Sequence, residues 1–480
     1  MPAAAGSACS VVSTVLLGAL PAILLSGCQT YEPKSLDLAS HREAFLARTP
    51  DSPDVAAYAQ QLRESSPSAP TTFDLADGIS SAEGEAIALV FNAELRVARL
   101  RAGVTQATAA NAGLWEDPTI GVDVTRIIQS TPEPWKVFSS IGFTLPISGR
   151  LEVEKARAGL EHAAALARVA QDEWRIRMEL RRTWTRWSSL EAQVGAVGEL
   201  VAGVDRVLAV VDKMEAAGEI SRTEARLFRI DRATQLAELA QIESAREETT
   251  LRMRQLMGLA PHASVRFTPS GFETRALVAA DRESLEARSP RLLVSTAEYE
   301  VAEKALLLEI RKQYPDLHIG PGYGREDGQD QVLLGLSAPL PIFNANRQAI
   351  AEALARRDLA RATAETTLEA LLAELRLAEV RLEAASRQRR TLEVEIVPLV
   401  DAQYADARQV AQLGEVNTLI LLDSLTRQQA AKVRLIEARR NEALASIDLD
   451  DLLGPEPAAA PETSIIIDPT LPPTSETAPS

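Results

Sequence analysis

Thr119-Ile120-Gly121-Val122-Asp123-Val124-Thr125-Arg126-Ile127 is the stretch on which the reading of this chain turns. Ile120, Val122 and Val124 fall on one face of a strand, and Thr119, Gly121, Asp123 and Thr125 on the other. A second alternating stretch follows at 136–145, with Val137, Ile141, Phe143 and Leu145 opposed to Lys136, Ser140, Gly142 and Thr144. The pattern returns at 316–324, where Leu317, Ile319 and Tyr323 oppose Asp316, His318, Gly320 and Gly322. It returns again at 331–340, where Val332, Leu334 and Leu336 oppose Gly335 and Ser337. Tilted strands of about ten residues cross a bilayer. Trp115, Trp135, Tyr314 and Phe343 sit at the strand ends, where interfacial aromatics belong. Four strands cannot close a barrel, and open edges find no hydrogen-bond partner in lipid. Two chains would supply about eight strands and a filled interior, whereas three would supply about twelve and an open lumen, so a trimer is expected. The alternative is a periplasmic helical hairpin bearing two ordinary β-ribbons.

Around the strands the sequence is helical. Residues 82–112 read as a helix, and a second runs from Leu151 to about Glu215 without a proline. Within it Trp187, Leu190, Val194, Val197, Val201, Val204, Leu208 and Val211 step by three and four, the period of a coiled coil. A helix of about 65 residues is about 100 Å long, more than a compact domain spans. Gly218 breaks the pattern, Ser221 is a fair N-cap, and a return helix runs from about Arg222 to Met257. A second long helix starts near Arg347, with Leu368, Leu371, Leu375, Ala378, Leu382 and Ala385 in the same stepping, and Pro398 should kink it or remove one backbone bond.

The two halves are copies of one unit. Leu95 and Pro118 recur as Leu292 and Pro315 at an offset of 197; Leu145-Pro146-Ile147 recurs as Leu340-Pro341-Ile342 at 195. Gly218-Glu219-Ile220 recurs as Gly414-Glu415-Val416, and Leu256-Met257-Gly258 as Leu452-Leu453-Gly454, both at 196. The organisation expected is a signal segment at 1–27, a polar lead-in at 28–80, repeats at 81–258 and 281–454 joined by a linker at 259–280, and a disordered Pro-rich tail at 455–480. The fold class is therefore mainly α with a membrane β-barrel: long coiled-coil hairpins plus four strands per protomer.

Composition narrows the function. Aromatics are 4% of the 480 residues and the net charge is −16, so no basic surface awaits nucleic acid. Both cysteines, Cys9 and Cys28, lie at the N-terminus, and the four histidines are too scattered for a metal cluster; no cofactor is expected. No nucleophile elbow or phosphate loop suggests an enzyme. Residues 11–25 are almost wholly apolar but too short to span a membrane, as in an export signal. Leu25-Ser26-Gly27-Cys28 resembles the lipobox of bacterial lipoproteins, which implies cleavage before Cys28 and lipidation of its thiol; a plain secretory signal is the alternative. The absence of Lys or Arg before the apolar run departs from the usual pattern, whereas Gln29 in place of an aspartate suits delivery to the outer membrane.

The doubled order of these elements, with Asn92-Ala93-Glu94-Leu95, Asp117-Pro118-Thr119-Ile120-Gly121, the Leu-Pro-Ile strand ends and the Gly218 and Gly414 tips, resembles the TolC-type outer-membrane factors over residues 80–454. That resemblance implies a homotrimer with a twelve-stranded barrel and a periplasmic helical tunnel, working with a periplasmic adaptor and an inner-membrane transporter. It implies adaptor contacts at the tips, Gly218, Glu219 and Ile220 with Gly414, Glu415 and Val416, and a periplasmic gate at Asp423 and Glu224. A second gate position that is often acidic in the family is Ile420 here. Three converging Asp423 carboxylates would repel anions and attract cations. The function implied is a passive exit duct for small molecules or metal ions; a type I secretion duct and a coiled-coil adaptor are the alternatives. An adaptor would need a lipoyl-like β-domain, of which the sequence shows no sign. Cargo is not legible from the residues.

Overall fold

The computed structural model describes residues 31–65, 73–128, 135–272, 282–326, 329–412 and 418–455. Cys28, Gly414, Glu415, Val416 and the tail after Pro455 lie outside them. The chain divides into two units, residues 1–47 and 48–480. The first contributes helix α1 (Leu38–Leu46), started by Asp37, whose carboxylate accepts the N–H groups of Ala39 and Ser40. The lead-in is thus more regular than its polar composition suggested, because it carries its own cap.

The second unit begins with α2 (Pro53–Ser65), α3 (Ser81–Phe91) and α4 (Ala93–Ala110). Residues 82–112 are therefore two helices, not one. The break is Asn92: its Oδ1 accepts from Glu94 and Leu95, restarting the helix, while its Nδ2 donates 2.8 Å to the Leu256 carbonyl. An asparagine that caps one helix and ties down the end of another outcompetes continuous helix at that position.

Strands β1 (Thr119–Arg126) and β2 (Trp135–Leu145) precede α5 (Arg150–Ala217), a single helix of 68 residues, and α6 (Arg222–Leu256) returns along it. The second repeat contains α7 (Arg282–Arg288), α8 (Pro290–Arg311), β3 (Leu317–Glu326), β4 (Gln329–Ser337) and α9 (Arg347–Thr391). A π-helical turn at Leu392–Ile396 then leads into α10 (Val397–Gln412), and α11 (Thr418–Leu453) returns. The π turn lies just before Pro398. Proline cannot donate its missing N–H and its ring collides with the carbonyl four residues back, so the extra residue in that turn accommodates it without breaking the helix.

The long helices lie in a layer: α4 packs on α5, α5 on α8, and α8 on α9, while α6 and α11 pack on α5 further along. The buried seam of α5 runs through Val197, Leu200, Val204, Val207 and Val211, whereas Val194, Val201 and Leu208 of the expected stripe are half-buried. The main core gathers Leu95, Ile176, Leu180, Trp184, Met253 and Met257. There Trp184 meets Phe267 edge-on at 5.3 Å and donates its indole N–H to the Thr268 carbonyl. At this level Glu85 is buried between Arg177 (2.8 Å) and Arg181 (2.5 Å). Burial would raise its carboxyl pKa, but the two guanidinium charges outweigh that and hold it below the usual glutamate range.

One glycine junction is built twice. Gly258 and Gly454 close the return helices with φ of +66° and +79°. A Cβ on Gly258 would overlap the Phe91 carbonyl oxygen, and one on Gly454 would overlap that of Arg288. Arg48 donates 3.0 Å to the Gly258 carbonyl, and Arg288 donates 3.0 Å to that of Gly454. The same joint thus roots each hairpin in its repeat.

Gly258→Ala and Gly454→Ala should each cost about 2–4 kcal/mol, from left-handed strain plus backbone overlap, measured as a lower denaturation midpoint. Glu85→Gln should cost about 1.5–3 kcal/mol, because it leaves the half-buried Arg177 and Arg181 without the charge that accepts their hydrogen bonds. Since the folded Glu85 pKa is lowered, its stabilisation is complete above the ordinary glutamate range and is lost as pH falls through the lowered value. Glu85→Gln should remove that acid-side slope in pH-dependent unfolding.

Candidate functional site

The four strands form one antiparallel sheet in the order β1-β2-β3-β4. Ile120 pairs with Ile141, Val124 with Val137, Phe143 with Ile319, and Tyr323 with Val332, so apolar side chains from all four strands share one face. Among the described residues that face is largely uncovered: Val332 is 86% exposed and Leu334 73%. The opposite face carries Thr119, Gly121, Asp123, Ser140, Gly142, His318, Gly322 and Gly335. On it Lys136 and Glu326, directly opposed, form an ion pair, and Thr144 Oγ1 lies 3.1 Å from His318 Nδ1. Phe138 and Leu333 are exceptions on this polar face; Leu333 lies opposite Gly322, and Phe138 covers Gly324, whose missing side chain makes room for the ring. Alternation alone could not place it, although a glycine directly across the ladder is the signal that the site admits an aromatic.

Each sheet edge is bare among the described residues, β1 on one side and β4 on the other. β4 stops at Ser337, short of the expected 340, because Pro339 and Pro341 cannot donate to a ladder. Between β2 and β3 the ladder skips Ile141 and Gly142, opposite Pro321 and Gly320. Trp115, Tyr314 and Phe343 stand exposed at the end nearest the helices, and Trp135 at the far end, where Arg126 lies 5.3 Å over its ring. Arg150, the first residue of α5, fastens the sheet to the helices: its guanidinium reaches Asp316 and Glu116, each at 2.9 Å.

At the opposite end of α5, Gly218 adopts φ +81° and caps the helix, and Glu219 and Ile220 form the turn into α6. Glu224 is occupied locally. Its carboxylate accepts the Ser221 N–H at 2.8 Å while the Ser221 hydroxyl accepts the Glu224 N–H, a capping box whose backbone hydrogen bond holds the carboxyl below its usual pKa. The serine-x-x-glutamate spacing was readable as this cap. Asp423, on α11, is 55% exposed at its side chain and paired with Arg427 one turn on, at 2.9 Å. Ile420, Asp423 and Arg427 share one exposed face of α11. No hydrogen bond or ion pair among the described residues joins Glu224 to Asp423.

The other face of α11 is anchored. Leu425 packs with Leu200 and Val204 of α5, and a side chain on Gly203 would press on it at 2.9 Å. Leu421 and Leu422 join Val211, Ala225 and Phe228 in a further cluster near the first tip. A glycine within an unbroken helix costs about 1 kcal/mol relative to alanine, and here it admits the Leu425 knob. The second hairpin is held against the first by this apolar contact, which the sequence stepping did not reveal.

Among the described residues no helix is long and apolar enough to cross a membrane. Two helical hairpins, each rooted in a β-hairpin of one bare-edged, outwardly apolar sheet, define the TolC-type channel architecture, a helical tunnel leading into a β-barrel. Residues 282–455 match the Outer membrane efflux protein family. It is 25% identical over 245 residues to the cobalt-zinc-cadmium resistance protein CzcC of Cupriavidus metallidurans, a match covering 50% of this chain and 58% of that protein. It superposes on CusC with a TM-score of 0.68 at 15% identity, over 88% of this chain and 99% of the other. On the outer membrane protein VceC of Vibrio cholerae the TM-score is 0.66 at 18% identity, over 78% and 96%.

Leu425→Ala should loosen the start of α11 from α5 at a cost of about 2–4 kcal/mol, seen as faster amide exchange at 418–430 with α3 and α4 unchanged.

Proposed function

We propose that this protein is the outer-membrane exit duct of a tripartite efflux system. Three copies would close a twelve-stranded barrel and continue it as a helical tunnel, anchored in addition by lipid on Cys28. A periplasmic adaptor would dock on the tips, Gly218, Glu219 and Ile220 with Gly414, Glu415 and Val416, and an inner-membrane transporter would supply the energy. The observation that carries this reading is the sheet: an exposed apolar face and two bare edges, joined to a helix of 68 residues. Such a surface is stable in lipid only when its edges are paired.

Cargo would pass without chemistry. The likeness to a cobalt-zinc-cadmium resistance protein favours divalent cations as cargo. Asp423 would line the gate, and its partner Arg427 would make that ring a paired layer of both signs, not a bare acidic one. Glu224 would serve the gate by fixing the turn of the first hairpin through its cap with Ser221.

Planar-bilayer recording on protein purified from outer membranes tests the duct. A small resting conductance is expected, rising several-fold in Asp423→Ala. Absence of conductance in both proteins would overturn the duct; an unchanged conductance in the variant would move the gate away from Asp423.

A further inference from the structure

The joint between the two repeats inside one chain specifies the joint between two chains. Arg150 opens α5 directly after a left-handed residue, Gly149 (φ +69°), and reaches across to Asp316, the residue before β3, with Nε at 3.0 Å and Nη2 at 2.9 Å. Arg347 opens α9 directly after a left-handed residue, Asn346 (φ +54°), and is its counterpart at an offset of 197. The strands give the other half. The prolines Pro118 and Pro315 lie 197 apart, but the run Asp-x-x-Ile-Gly at 117–121 recurs at 316–320, an offset of 199 that displaces the two prolines by two residues, and Leu145-Pro146-Ile147 recurs as Leu340-Pro341-Ile342, an offset of 195. The hairpin registers accommodate both offsets, since Ile120 faces Ile141 and their counterparts Ile319 and Leu336 face each other; 197 on both strands would fit them too, and the shared Asp-x-x-Ile-Gly run selects 199. By the same offset of 199, the counterpart of Asp316 is Asp117.

Within the chain, the Arg150–Asp316 clamp is used and both side chains are largely buried, at 19% and 18% exposure. Its counterparts are idle. Arg347 and Asp117 are both exposed, and among the described residues neither forms an ion pair. They also lie at opposite ends of the sheet order, Asp117 beside β1 and Arg347 following β4, so only a second copy can bring them together.

We propose that Arg347 pairs with Asp117 of the partner subunit, repeating between copies the clamp that Arg150 and Asp316 make within one. This inference rests on the oligomeric duct reading and adds its interface. The same offsets set the strand register at the seam. Because Ser139 faces Tyr323 and Ser140 faces Gly322, Leu334 lies opposite Val124 of the partner subunit, and Gly335 opposite Asp123 of the partner subunit. Leu334 and Leu336 then meet Val124 and Val122 of the partner subunit on the apolar face, a sorting that a slip of a single residue would reverse. Three copies would carry six such clamps in a ring where the barrel meets the tunnel.

The test uses full-length protein extracted from outer membranes in mild detergent. Arg347→Asp and Asp117→Arg should each lower the temperature at which the oligomer dissociates on a gel, and the double variant should recover it. Arg347→Cys with Asp117→Cys should be joined between chains by a short bis-maleimide, while either cysteine alone is not. A wild-type oligomer whose dissociation is unchanged by both single reversals, with no inter-chain product from the cysteine pair, would overturn the clamp and leave the duct standing. A wild-type chain that is monomeric would overturn both.

Discussion

The constraint on which the account rests is the demand of backbone N–H and C=O groups for partners. In water an unpaired sheet edge is tolerable; in hydrocarbon each unsatisfied group costs several kcal/mol. Among its described residues this chain presents a four-stranded sheet with an apolar exposed face and two bare edges. An apolar face needs a non-aqueous neighbour, and bare edges in such a neighbour need strands from elsewhere. Closure by further copies satisfies both, and the polar face, with its glycines and hydroxyls, then surrounds water.

The helices follow from the same arrangement. A strand pair closed into a barrel must hand its chain to something that preserves the ring, and Arg150 does this by gripping Asp316 and Glu116 where sheet becomes helix. Further along, the Glu85 cluster and the glycine joints at Gly258 and Gly454 fix each hairpin's root. Beyond that level, packing thins to small clusters such as that of Leu200, Val204 and Leu425. Elements held by few buried contacts are the ones that can move at modest cost. The π turn before Pro398 occurs in the second hairpin, whereas α5 of the first is unbroken.

Much of this was legible in the sequence because it is periodic or repeated. Alternation in Thr119–Ile127 fixed which residues share a face, and the doubled Leu-Pro-Ile and Gly-Glu landmarks exposed two copies of one unit. What escaped depends on pairwise geometry. Asn92 splits a helix because its side chain reaches Leu256, far along the chain. Phe138 stands on the polar face because Gly324 is opposite, which requires the register. Half of the expected α5 stripe lies beside the buried seam, since 3-4 stepping admits neighbouring stripes and only the packed partner selects one. Asp423 is not a bare carboxylate, because Arg427 one turn on pairs with it.

The central claim is that the sheet is completed by other copies of the same chain in the outer membrane. The most direct measurement is the native mass of the mature protein extracted from that membrane in mild detergent. A mass of three chains is the result this account requires. A monomer recovered from the soluble periplasmic fraction would contradict it, because an unclosed sheet of this kind cannot be the wall of a membrane channel.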